Sequence, residues 1–148
     1  ENIKLHMIGK LQTNKVKYII PIFDFLHSLD NIKLAEKISK EEKKFKKKIK
    51  IFIQVNIGNE EQKNGVQISE LESFYSICVN KLDLNIIGLM CLPPEKQDPK
   101  PFFKKMRDLN NSLSLKELSM GMSSDYLEAI EFGASFIRVG SKIFGERS

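Results

Sequence analysis

The feature that most restricts the possible folds of this chain is an alternation. Short apolar, β-prone runs follow one another along 148 residues, and each is succeeded by a stretch with helical spacing. Lys4 to Ile8 reads as a strand, and Gly9 and Thr13-Asn14 lead into a short helix reaching Ile20. Pro21 to Ser28 holds Ile22, Phe23, Phe25 and Leu26 in a second run. Asp30 then stands where a cap belongs, before a helix carrying Leu34, Ala35, Ile38 and Phe45 on one face. Ile49 to Val55 is almost continuously apolar, the signature of a strand buried on both faces of a parallel sheet.

The second half repeats the pattern. Ser69 to Glu72 has the spacing of a capping box, followed by Leu71, Phe74, Tyr75 and Cys78 at helical intervals. Leu84 to Met90 is a further buried run, which Pro93-Pro94 ends because proline cannot donate to a ladder. From near Pro101 a helix sets Phe102, Phe103, Met106, Leu109 and Leu113 on one stripe, as core rather than as a cofactor box. Glu117 to Ser119 is strand-like, and Asp125 with Glu128 resembles a cap pair opening a helix that Gly133 closes. Ser135 to Val139 reads as a last strand, and Gly140 leads into a turn or helix around Ser141 to Phe144.

Six strand-helix units with short connections imply a parallel sheet, closed either as an open doubly wound sheet or as an eight-stranded barrel. Neither GxGxxG nor GxxxxGK[ST] occurs, so the usual dinucleotide and nucleotide cradles are absent. Periodicity does not choose between the two closures. The length suits a single domain over residues 1–148.

Composition removes other classes. No run approaches the about 18 apolar residues of a membrane span, and the N-terminus lacks a signal-peptide succession, so a cytoplasmic protein is expected. The net charge of +5 comes largely from Lys40 to Lys50, read first as a solvated face, with weak polyanion binding as the second reading. Cys78 and Cys91 sit in apolar contexts without a CxxC or histidine partner, which supports neither a disulfide nor a metal site.

In either closure ligands gather where strands end, and two such places stand out. The first is Ser119 to Asp125 (SMGMSSD) and the second Arg138 to Ser141 (RVGS). Glycines that let N–H groups approach, hydroxyls and a helix start are what a phosphate needs. The same residues also suit plain turns and caps, with the position after the last two strands favouring phosphate. Arg138 lies in an alternating strand, so it either enters the ligand end of the sheet or pairs at the surface with Glu131 or Glu146. In the sheet it would bind an anion or face a ring nitrogen, which it would keep unprotonated. His6 and His27 have apolar neighbours and read first as hydrogen-bonded core residues, with a base or ligand role for His6 as the second reading. The loop from Asn56 to Gly65 follows a strand and carries Lys63, available to an anion.

Together these segments resemble the pyridoxal phosphate homeostasis protein family, whose domain is like the N-terminal barrel of alanine racemase. The resemblance rests on His6 to Lys15 (HMIGKLQTNK), Gln54-Val55-Asn56, Glu60 to Gly65 (EEQKNG) and Gly88-Leu89-Met90. Above all it rests on Leu118 to Asp125 (LSMGMSSD) and Arg138 to Arg147 (RVGSKIFGER). It implies a (β/α)8 TIM-type barrel of the alanine racemase-like class, of which about six of eight units lie in this sequence. It implies one pyridoxal 5′-phosphate, held by Ser119, Met120, Ser123, Arg138, Gly140, Ser141 and His6, with Arg138 at the ring nitrogen. The family's Schiff-base lysine would precede Glu1, and neither Lys10 nor Lys15 stands in for it.

The resemblance further implies a cofactor carrier or buffer in vitamin B6 homeostasis, monomeric in its full-length form, serving pyridoxal-phosphate-dependent apoenzymes, without nucleic acid, membrane or metal, and without turnover. The alternative is a fold-related racemase or decarboxylase, which would need a further catalytic base.

Overall fold

The computed structural model describes residues 2–61 and 64–147. Five parallel strands form one sheet in chain order: β1 (His6–Met7), β2 (Phe25–Leu29), β3 (Lys50–Gln54), β4 (Ile86–Met90) and β5 (Glu117–Ser119). Between and after them run α1 (Val16–Ile19), α2 (Ile32–Phe45), α3 (Leu71–Ser76), α4 (Lys100–Ser112), α5 (Tyr126–Glu131) and α6 (Ser141–Phe144). The expected sixth strand over Ser135 to Val139 is reduced to a single parallel bridge, Ser119 with Phe136. Beyond that bridge the Arg138 N–H still donates to the Gly121 carbonyl at 2.8 Å, but Gly121 has a φ of 106°, which only glycine adopts without strain and which is not strand geometry.

The sheet is strongly curled. Phe136 lies five strand positions from His6, which in a flat sheet is about 24 Å. Their ring centroids are 5.8 Å apart, and Phe136 also meets Phe25 at 5.5 Å and Phe52 at 5.3 Å. The first strand and the last segment thus face each other across a barrel-like interior.

Strand alternation divides the apolar residues between two layers. Leu26, Leu29, Ile51, Ile53, Leu89 and Leu118 face the helices and pack in the main core with Leu34, Ile38, Phe74, Phe103 and Met106. Phe25, Phe52 and Met90 face the interior with Phe136. Between β4 and β5 the backbones approach closely: a Cβ on Gly88 would lie 1.9 Å from the Glu117 carbonyl oxygen.

Several local expectations are corrected. Asn31, not Asp30, caps α2, because Asn31 holds the extended conformation before the helix and accepts the Leu34 N–H at 2.8 Å. Asp30 instead accepts the Gly65 N–H at 2.9 Å. Phe45 is 41% exposed, since the buried stripe of α2 ends at Glu42. The capping box does not form at α3: Ser69 lies inside a 3-10 turn, Ile68–Glu70, so its backbone is already helical. Asp125 does not cap α5; its carboxylate accepts the Met122 N–H at 2.7 Å and closes the preceding loop.

Candidate functional site

A connected polar path crosses the largely aromatic interior. Phe25 and His27 alternate on β2, so the same parity that buries Phe25 turns His27 inward, where its ring stacks on Phe52 at 4.4 Å. His6, from β1, stacks on Phe25 at 4.1 Å with the planes 6° apart. His6 Nδ1 and His27 Nε2 are 2.9 Å apart, and His27 Nδ1 lies 2.8 Å from the Ser119 hydroxyl. Arg138 donates from Nη1 to that hydroxyl at 2.6 Å and from Nη2 to the Cys91 carbonyl at 2.9 Å. Its Nε is buried and has no partner among the described residues. Strands β1, β2, β4, β5 and the last segment are joined through this path.

Burial sets the charge states. It depresses His27 to about 3, helped by His6 and Arg138, so the ring is neutral at physiological pH. Burial also lowers His6, against a smaller upward pull from Asp24. Arg138 is lowered by burial as well, yet a guanidinium keeps its charge. Burial pushes the Cys91 and Cys78 thiols up to about 12, which leaves both unreactive.

A cleft of about 610 Å³ opens on this path, lined by His6, Ile8, His27, Phe136, Arg138 and Gly140 among others. Beside it a second hollow of about 530 Å³ is bordered by Ser123, Ser124, Arg138, Gly140 and Ser141. The Ser123 hydroxyl accepts the N–H groups of Gly140 and Lys142, each at 3.2 Å, which joins the two glycine-serine loops. At Gly140 a Cβ would meet nothing within 4 Å, so this rim is open. At Gly121 a Cβ would come within 2.9 Å of Ala129, so glycine is what lets the first loop pack on α5.

Of the expected site residues, the fold gathers His6, Ser119, Ser123, Arg138, Gly140 and Ser141 at one end of the sheet. Met120 is a correction: it shares the parity of Leu118 and its side chain is wholly buried in the helix-side core, while Met122 lines both hollows. Arg138 does not pair with Glu131 or Glu146; its partners are Ser119 and Cys91. His27, read as core, is core and also the middle of the path. The Cys91 carbonyl is a contributor that no residue type could have announced. Lys63 lies outside the described residues. Lys40 to Lys50 leads into the start of β3, away from these strand ends, and its Glu41 and Glu42 are buried.

Among the described residues no group of three potential metal ligands occurs, and no helix is long and apolar enough to cross a membrane. The inner wall therefore offers aromatic faces, one fixed cation and a set of N–H donors. Such a wall suits a flat ring bearing anionic oxygens.

Known proteins resemble this chain in sequence and fold. The family model described as alanine racemase, N-terminal domain, matches residues 3–148. A pyridoxal phosphate homeostasis protein of Aquifex aeolicus is 40% identical over 157 residues, covering 99% of this chain and 68% of the relative. One from Homo sapiens is 35% identical over 165 residues, covering 98% and 59%. The structure of PipY of Synechococcus elongatus with PLP bound superposes with a TM-score of 0.90 at 30% identity, covering 98% of this chain and 72% of that one. An alanine racemase of Clostridium difficile, 16% identical with a TM-score of 0.73 over 99% of this chain and 41% of that one, shares the fold alone. Curled parallel sheet, matched family model and identity over nearly the whole chain agree: the chain belongs to the pyridoxal phosphate homeostasis protein family, within the alanine racemase N-terminal domain class.

Proposed function

We propose that this chain forms a single pyridoxal 5′-phosphate-binding domain over residues 1–148 that carries or buffers the cofactor in vitamin B6 homeostasis without turning over a substrate. The observation that carries the reading is Arg138, half-buried in an aromatic cleft, whose Nε is itself buried and unpartnered among the described residues. A buried N–H without a partner on a fixed cation calls for an acceptor, and a pyridine nitrogen or an anionic oxygen supplies one. The neighbouring hollow suits the phosphate: Ser123 and Ser141 bring hydroxyls to it, and at Gly140 its rim is open. Phe25, Phe136 and the histidine rings would shield a flat ring from water. When bound, the cofactor brings a reactive aldehyde.

That relatives at 40% and 35% identity are pyridoxal phosphate homeostasis proteins supports the homeostasis role over the racemase or decarboxylase alternative. Both cysteine thiols are buried. Recipients of the cofactor would be apoenzymes that depend on it, met by a monomeric carrier in the cytoplasm, a setting that suits two unlinked cysteines.

The test uses pyridoxine 5′-phosphate, which has the ring and phosphate without the aldehyde and so reports the non-covalent contacts alone. Saturable binding by fluorescence titration, weakened about tenfold or more in Arg138→Met, is expected. Absence of saturable binding to the folded chain, or binding indifferent to Arg138, would overturn the reading.

A further inference from the structure

The polar path through the interior fixes more than position. Arg138 can only donate, so the Ser119 oxygen is its acceptor. The Ser119 hydroxyl is wholly buried, and its own proton has a single acceptor in reach among the described residues, His27 Nδ1 at 2.8 Å. A neutral imidazole that accepts at Nδ1 carries its hydrogen at Nε2. That hydrogen points along the 2.9 Å contact to His6 Nδ1, which must then accept in turn. The proton of neutral His6 is thereby left on Nε2, the ring nitrogen without a partner among the described residues, on a side chain that lines the cleft.

The reverse assignment fails a simple count. Were His6 to donate from Nδ1, His27 would donate to Ser119, and the serine oxygen would receive two donors while its own proton had no acceptor among the described residues. A buried unsatisfied hydroxyl is unfavourable, and here nothing offsets it. A doubly protonated His6 would set two N–H groups against each other at the His27 contact.

We infer that Arg138 dictates the tautomer of His6 through Ser119 and His27, holding His6 as a fixed Nε2–H donor toward an acceptor oxygen of the bound ligand. His6 is thus a donor in this cleft and not a general base, and Ser119 and His27 are positioning residues that act through it. The identity of the ligand rests on the proposed cofactor reading; the tautomer does not, since it follows from contacts within the chain.

His6 and His27 are the only two histidines in the sequence, so long-range 1H–15N correlation spectra resolve both rings without crowding. Both rings are expected as Nε2–H tautomers in the ligand-free protein, assigned with the His6→Asn variant. Ser119→Ala should turn this into a tautomer mixture at both rings, and Ser119→Thr, which keeps the hydroxyl, should restore the single form. A Nδ1–H tautomer at His6, or spectra unchanged by Ser119→Ala, would overturn the inference. Adding pyridoxine 5′-phosphate should shift the His6 Nε2 proton, and His6→Phe should weaken its binding about tenfold, the loss of one hydrogen bond to a charged acceptor. Binding without that shift would overturn the donor role alone. Failure to bind, with both tautomers as expected, would overturn the cofactor reading and leave the tautomer selection standing.

Discussion

Gly88 and Glu117 stand back to back in the sheet: a side chain on Gly88 would drive its first carbon to 1.9 Å from the Glu117 carbonyl oxygen and 3.0 Å from the Phe52 ring. Neither neighbour is the loose end of a flexible side chain. Gly88→Ala must therefore spread β4 from β5 and should destabilise the fold by about 3 kcal/mol, the upper part of the overpacking range. Urea unfolding followed by circular dichroism measures it, and a loss below about 1 kcal/mol would mean that the strands part easily.

His27 gives the stability a pH slope. Its folded value is depressed to about 3 from 6.5, so the unfolded chain binds the proton first as pH falls. The contribution is fully present above pH 6.5 and is lost progressively from there down to about 3. Between pH 7 and pH 5 the loss should approach about 2 kcal/mol, at about 1.4 kcal/mol per unit below the unfolded value. His6, also lowered, pulls in the same direction. Urea midpoints at the two pH values should separate less in His27→Gln than in the parent.

Glu42 acts with the opposite sign. Burial raises its carboxyl, Oε2 accepts the Ile49 N–H at 2.8 Å, and Oε1 has no hydrogen-bond partner among the described residues. Its charged form is disfavoured in the folded state, so its contribution improves as pH falls. Glu42→Gln keeps an acceptor for Ile49 without a charge and should stabilise the protein at about pH 7, with a smaller gain near pH 4. Glu42→Ala orphans the Ile49 N–H and should cost about 1 to 3 kcal/mol. Parallel denaturation of the two variants separates charge from hydrogen bond.

Ser123 links the two glycine-serine loops through the N–H groups of Gly140 and Lys142. Ser123→Ala should speed hydrogen exchange at those two amides while changing global stability by about 1 kcal/mol or less. Unchanged exchange at both positions would mean that the hydroxyl does not hold the loops together.

How far the sequence could be read depended on the range of the cause. Runs such as Ile49 to Val55 became strands because burial on both faces is written in consecutive residues. The three cap assignments failed because neighbouring backbone geometry, not residue type, selects which polar group meets which N–H. The direction of the Met120 side chain is legible in the sequence: strand parity with Leu118 sends it to the core. The joining of His27 to Ser119, 92 residues apart, depends on how the sheet curls, and no local pattern encodes that.

Every strand of the sheet pairs with its neighbours in chain order. During synthesis each new unit therefore finds its template already in place, and the sheet can lengthen in step with the emerging chain. The ligand end obeys a different schedule. His6 comes from the first strand and Arg138 from the last segment, so the cleft between them exists only once everything in between has folded. Occupancy of that cleft is in effect a signal that every unit from β1 to the last segment has folded, and a chain stalled at any unit between them would have a sheet but nowhere to hold a ligand.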